Sequence, residues 1–104
     1  MKVWLDDLRE APPGWVRVRT PEVAIGLLET GDVTEISLDH DLGLVDGERE
    51  RTGYDVLLWL EREVAEGRWV FPLPQISVHS ANPVGRKRME QAIASIRRMR
   101  PDMP

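Results

Sequence analysis

Three apolar runs in this chain end on residues that can do chemistry. "VWLDD" (3–7) closes on Asp6 and Asp7, "ISLDHDLG" (36–43) contains Asp39, His40 and Asp41, and "ISVHSANPVG" (76–85) contains His79, Ser80 and Asn82. Carboxylates at the tips of neighbouring strands repel one another unless a cation neutralises them. A hard divalent ion with oxygen ligands is the natural counter-charge. Asp6, Asp7 and Asp39 are therefore candidate ligands for Mg2+ (or Mn2+). Asp41 is a fourth candidate, equally suited to cap the loop before Gly43.

His40 and His79 are the chain's two histidines. Imidazole titrates near neutrality, so a pair flanking a phosphate can serve as general base and general acid. Zinc is the weaker reading, because the acids outnumber the histidines. Asn82 is placed to cap a helix whose free N–H groups favour an anion such as phosphate. Ser80 and Asn82, with Arg9 as a bidentate clamp, are the candidate phosphate-binding residues. Arg86, Lys87 and Arg88 read first as a solvated helix face. Trp59 and Trp69 read as core or connector packing. Trp15 stands in a loop beside the expected site, where packing is the simpler role and base stacking the alternative.

The elements that must position these residues follow from periodicity and punctuation. Strands are expected at 2–6, 16–19, 34–39 and 75–80, the second alternating as an edge strand should. Thr20-Pro21 opens a helix through "EVAIGLLET", with Val23, Leu27 and Leu28 on its apolar face and Gly31 as its stop. "HDLGLVDGERERTG" reads as a long polar loop. Thr52 is the expected N-cap of "GYDVLLWLEREVAEG", whose Val56, Leu57, Leu60 and Val64 form one stripe before Gly67. Asn82-Pro83 opens the last helix, with Met89, Ala92, Ile93, Ile96 and Met99 facing the core and Pro101 closing it.

Strands alternating with helices predict a parallel sheet with helices on both faces. Right-handed crossovers favour the order 2-1-3-4. Ligands bind beyond the carboxyl ends of such strands, where the order reverses, and the acids and histidines fall there.

With 104 residues, 41% hydrophobic and 31% charged, the chain is expected to form a single domain spanning 1–104. A net charge of −4 argues against a broad grip on nucleic acid, although the basic "GRKRMEQAIASIRRMR" can still meet a phosphate or an RNA end. The absence of cysteine excludes thiol catalysis and disulfides. No apolar run approaches the ~20 residues of a membrane span, and the chain opens on a strand pattern rather than a signal peptide, so a cytoplasmic protein with no membrane partner is expected. The exposed edges of a four-stranded sheet permit a homodimer.

Taken in order, "VWLDDLREAP", "SLDHDLG", "TGYDVLLWL" and "VHSANPVGRKRM" resemble the cyclic-phosphate processing receiver-domain family, an offshoot of the response-regulator receiver fold. The resemblance runs from residue 3 to about residue 92. It implies a flavodoxin/receiver-like three-layer sandwich lacking the fifth strand. It also matches Asp6 and Asp7 to the magnesium-binding acidic pair of receivers, Asp39 to their phosphorylated aspartate, and Ser80 to the hydroxyl that contacts the phosphoryl group. The lysine that follows the fifth strand in receivers has no counterpart, so Arg9, His79 or Lys87 would supply its charge. Two functions follow as expectations. The first is metal-dependent hydrolysis of a cyclic phosphate, such as a 2′,3′-cyclic phosphate on RNA or a nucleotide, with His40, His79 and Asp39 as catalytic residues. The alternative is a signalling or phospho-ligand-binding module with Asp39 as phosphoacceptor and no turnover.

Overall fold

Short apolar strands and capped helices succeed one another along the chain. The computed structural model describes residues 1–46 and 49–100. The elements are β1 (Lys2–Leu5), β2 (Trp15–Val18), α1 (Pro21–Leu28), β3 (Glu35–Leu38), β4 (Asp41–Asp46), β5 (Arg49–Thr52), α2 (Tyr54–Ala65), β6 (Gln75–Val78) and α3 (Pro83–Met99). Four strands form one parallel sheet in the order β2-β1-β3-β6. That is the expected 2-1-3-4 order, with β6 as the fourth strand of the sequence reading. No fifth strand lies beside β6 among the described residues.

The helix ends follow local chemistry. Thr20 Oγ1 accepts the Val23 N–H at 3.3 Å, and Pro21 opens α1. Gly31 then turns the chain away at φ 80°, a conformation that costs glycine nothing. Asn82 Oδ1 caps α3 through the Gly85 N–H at 3.0 Å. The start of α2 differs slightly from expectation, since Gly53 occupies the cap position. Thr52 still serves it: its Oγ1 accepts the Tyr54 N–H, while Asp55 Oδ2 accepts the Thr52 N–H.

Val3, Leu5, Ile36 and Leu38 alternate inward from the central strands. They form one core with Leu28 of α1, with Leu57 and Leu60 of α2, and with Met89 and Ile96 of α3. The apolar stripe of α2 is buried as expected. Two positions are not: Val23 is exposed, with Ala24 in its place, and Met99 is exposed at the end of α3. Pro101, expected to close that helix, lies outside the described residues.

Connectivity also settles where the helices lie. Both crossovers, β2 to β3 and β3 to β6, step in the same direction across the sheet, and right-handed crossovers of that kind fall on one face. α1 packs on α2 and α2 on α3. The receiver-like α/β fold and its strand order therefore stand, but the helices expected on both faces, as in a three-layer sandwich, gather on one among the described residues. The reason is the β1–β2 connection, which steps the other way across the sheet and carries no helix. The opposite face carries Lys2, Trp4, Arg17, Ser37, Gln75 and Ser77; Lys2, Gln75 and Ser77 are exposed, while Ser37 is buried and Trp4 half-buried.

The segment expected as a long polar loop is an antiparallel hairpin, β4 with β5. Its charged sequence hid it, because it offers no clear apolar alternation to mark two strands. The register shifts between Asp41 and Leu44, where Gly43 stands at φ 64°. Leu42, fully buried, pins the hairpin to the core. No described helix is long and apolar enough to cross a membrane.

Candidate metal centre

The sheet's hydrogen-bond ladder runs one residue past three of its strands. Asp6 donates its N–H to the Val18 carbonyl at 3.0 Å, Asp39 to Leu5 at 3.0 Å, and His79 to Leu38 at 3.1 Å. Trp4 is in register with Ser37, and Ser37 with Ser77. Two residues further along each strand, the same register aligns Asp6, Asp39 and His79 in one row. Period-two alternation then aims all three at the face opposite the helices. One ligand atom from each lies within 4.8 Å of the others.

Each of these side chains is held. Asp6 is buried, and its Oδ1 accepts the N–H groups of Leu8 and Arg9, both at 2.8 Å. Its Oδ2 lies 3.1 Å from His79 Nε2. Because an ionised carboxylate only accepts, His79 carries its proton on Nε2 in this arrangement. Nδ1 then accepts from the Ser37 hydroxyl at 2.7 Å. Trp4 lies flat on the imidazole, with ring centroids 3.7 Å apart and planes 6° from parallel. Asp39 Oδ1 accepts the His40 N–H at 2.9 Å.

Electrostatics separates the two acids. Burial alone would raise the Asp6 pKa, but the Arg9 and Leu8 N–H groups and His79 outweigh it and hold the carboxyl below its ordinary value. Asp39 goes the other way: burial, joined by the neighbouring Asp6 charge, raises it. Burial also lowers the His79 pKa against the pull of Asp6 and Asp39, so the imidazole is held toward its neutral form. Two crowded carboxylates and a neutral imidazole are the donor set a divalent cation takes.

The next residue of each strand serves other neighbours. Asp7 lies against the hairpin, its Oδ2 3.3 Å from where a Cβ on Gly43 would stand. Its Oδ1 is buried without a hydrogen-bond partner. A buried anionic oxygen without a donor is costly, and a cation beside it removes that cost. His40 packs on α3: a Cβ at Gly85 would come within 2.5 Å of its ring. Its Nδ1 lies 2.8 Å from Asp41 Oδ1, and Asn82 Nδ2 approaches the same oxygen at 3.4 Å. The His40 bond also lowers the Asp41 pKa. Ser80 is buried, its Oγ accepting the Asn82 N–H at 3.1 Å.

The expected site residues thus divide into two groups. Asp6, Asp39 and His79 meet in one cluster, with Arg9 Nη1 at its edge, 3.4 Å from the His79 carbonyl. His40, Asp41, Asn82 and Ser80 form a second group around the start of α3. The two histidines do not share one centre among the described residues. Lys87 is exposed on α3. Trp15 sits at the amino end of β2, in register with Lys2, and packs edge-on against Trp4 at 6.0 Å.

Sequence reasoning missed Trp4, Ser37 and Arg17. Arg17 donates to the Asp6 and Asp7 carbonyls at 3.2 and 2.8 Å and fixes the turn after β1. A signal for the first two was available: aligning "WLDD", "SLDH" and "SVHS" column by column places Trp4 beside Ser37 and Asp6 beside Asp39 and His79.

A family model described as the cyclic-phosphate processing receiver domain matches residues 1–95. Neither the curated proteins nor the solved structures include a match to the chain. A parallel β2-β1-β3-β6 sheet, acids at its carboxyl edge and a match over nearly the whole length together place the chain in the cyclic-phosphate processing receiver-domain family.

Proposed function

We propose that the protein hydrolyses a cyclic phosphate with the help of a divalent cation, its substrate being a 2′,3′-cyclic phosphate on a nucleotide or an RNA end. The observation that carries this reading is the convergence of Asp6, Asp39 and His79 at the sheet edge, in a family described by cyclic-phosphate processing. Asp6, Asp39 and His79 would hold the ion, with the unpartnered Asp7 oxygen close to the same strand end. The carboxylates suit Mg2+ or Mn2+, and the imidazole nitrogen tips the set toward Mn2+. Such an ion supplies neutralisation of the charge that develops on the phosphoryl oxygens.

The chain's own residues do the rest. Water attacks phosphorus, one ring P–O bond breaks, and the departing ribose oxygen takes a proton from solvent water to give a monoester. Asp41 holds His40 with its proton on Nδ1, which leaves Nε2 as the basic nitrogen. His40 takes the proton from the attacking water. In the metal-free arrangement both His79 nitrogens are engaged, by Ser37 and Asp6. As a ligand it would give up the Asp6 contact, bind through Nε2 and carry its proton on Nδ1 toward the Ser37 oxygen, so it would serve as ligand rather than as a free proton carrier. Arg9 and the N-terminus of α3, shaped by Ser80 and Asn82, position the phosphate.

Phosphorus NMR tests this on a sample containing Mn2+-free Mg2+ buffer, the protein, a 2′,3′-cyclic nucleotide and acetyl phosphate. The expected result is conversion of the cyclic species to a monoester, stopped by EDTA and slowed roughly 10²–10⁴-fold in His40→Ala. An acyl phosphate on Asp39 with the cyclic nucleotide intact would establish the phosphoacceptor alternative. No change in either compound would contradict turnover and leave a phospho-ligand-binding module.

A further inference from the structure

Beside the metal centre, on the helical side of the sheet, lies a cleft of about 350 Å3 lined by His40, Glu50, Thr52, Tyr54, Asp55, Leu58 and Arg88. Nothing in the hydrolytic scheme uses Glu50, Tyr54, Leu58 or Arg88. We propose that this cleft, built where the β4–β5 hairpin meets α2 and α3, is a nucleobase subsite. This inference rests on the cyclic-phosphate reading and names the part of the substrate that lies beyond the phosphate.

The cleft adjoins the proposed general base rather than the metal cluster itself, which faces the other side of the sheet. His40 lines it, and the same residue's backbone N–H donates to Asp39 of the metal centre. Glycine at two positions lets the chain come this close. A Cβ at Gly53 would stand 1.9 Å from the Asp39 carbonyl oxygen, and one at Gly85 would strike the His40 ring. His40 would then be the side chain shared by the phosphate and the group attached to it, with that group reaching into the cleft.

Its composition suits a flat heteroaromatic ring. Arg88 lies over the Tyr54 ring at 5.0 Å, and Leu58 presents an exposed apolar side chain beside them. Bases stack on aromatic rings and on guanidinium planes, and their edges are read by polar groups. The Glu50 carboxylate accepts hydrogen bonds and so favours a base that offers N–H donors. A cleft of this size suits one nucleoside rather than a length of duplex. The acidic chain as a whole does not attract nucleic acid broadly, so a local subsite of this kind would confer the preference.

The test separates the subsite from turnover. Arg88 and Leu58 are exposed, so Arg88→Ala and Leu58→Glu leave the core untouched. The first arm follows backbone amide shifts on adding guanosine 3′-monophosphate or glycerol 2-phosphate. The nucleotide should shift Tyr54, Leu58 and Arg88 and bind roughly 5- to 100-fold more tightly than the base-free phosphate, and Arg88→Ala should remove most of that ratio. Shifts confined to the strand edge, or a ratio of one, would overturn the subsite. The second arm compares kcat/KM for guanosine 2′,3′-cyclic phosphate and glycerol 1,2-cyclic phosphate. Equal values with both hydrolysed overturn the subsite and keep the enzyme. Cleft shifts without hydrolysis keep the subsite and overturn the enzyme.

Discussion

Asp6 Oδ2 and His79 Nε2 lie 3.1 Å apart and tie the end of β1 to the end of β6 across β3. Asp6 also holds the Leu8 and Arg9 N–H groups, so its loss strands three donors at one buried point. Asp6→Ala should cost about 2–4 kcal/mol of stability, read by urea unfolding in EDTA. A loss below about 1 kcal/mol would contradict this role. The folded Asp6 pKa lies below its ordinary value of 3.8, so its contribution is present above that pH and is lost as the pH falls through the folded value. Asp6→Asn should flatten the acid limb of the stability curve there.

Asp39 behaves in the opposite sense. Burial and the Asp6 charge raise its pKa above 3.8, so the penalty of ionising it sets in as the pH rises through that value and is complete above the folded value. Asp39→Asn should therefore raise the melting temperature of the metal-free protein at pH 7. The same variant should lose the stabilisation by Mg2+ or Mn2+, which for the unaltered protein reaches about 2.7 kcal/mol at a hundredfold excess over Kd. Thermal melts with and without EDTA read both effects. A variant that still gains stability from the ion contradicts the centre.

The two close glycines make a contrasting pair. Gly85→Ala puts a methyl against the His40 ring, so hydrolysis should fall at least tenfold while the fold survives, because the ring can swing aside. Gly53→Ala meets the rigid Asp39 carbonyl instead and should cost more than about 3 kcal/mol. Circular-dichroism melts distinguish the two. A Gly53→Ala protein with unchanged melting temperature would refute the close approach.

Ser37 acts on His79 from behind. Ser37→Ala removes the partner of Nδ1 and should weaken Mn2+ binding roughly 10–100-fold. It should also change the imidazole nitrogen shifts of His79 in NMR, which a merely structural serine would not do.

Much of this was legible in the sequence. Strand order, helix caps at Thr20 and Asn82, and the stripe from Val56 to Val64 follow from period and punctuation that no tertiary contact overrides. Asp6 and Asp39 were equally visible, as acids ending apolar runs. The hairpin was not, since "RERT" pairs through its backbone and offers no apolar alternation. The separation of the histidines was hidden for a different reason. His40 directly follows Asp39, whereas His79 falls in the same row as that aspartate. Register, a property of the assembled sheet, decides which side each one takes.

The most direct test of the account is an electron paramagnetic resonance titration of Mn2+ into metal-free protein and three variants. A single bound ion is expected in the unaltered chain and in Asp41→Asn, with binding lost in Asp39→Asn and in His79→Ala. Undiminished binding in Asp39→Asn, or loss in Asp41→Asn alone, would contradict a centre built from Asp6, Asp39 and His79.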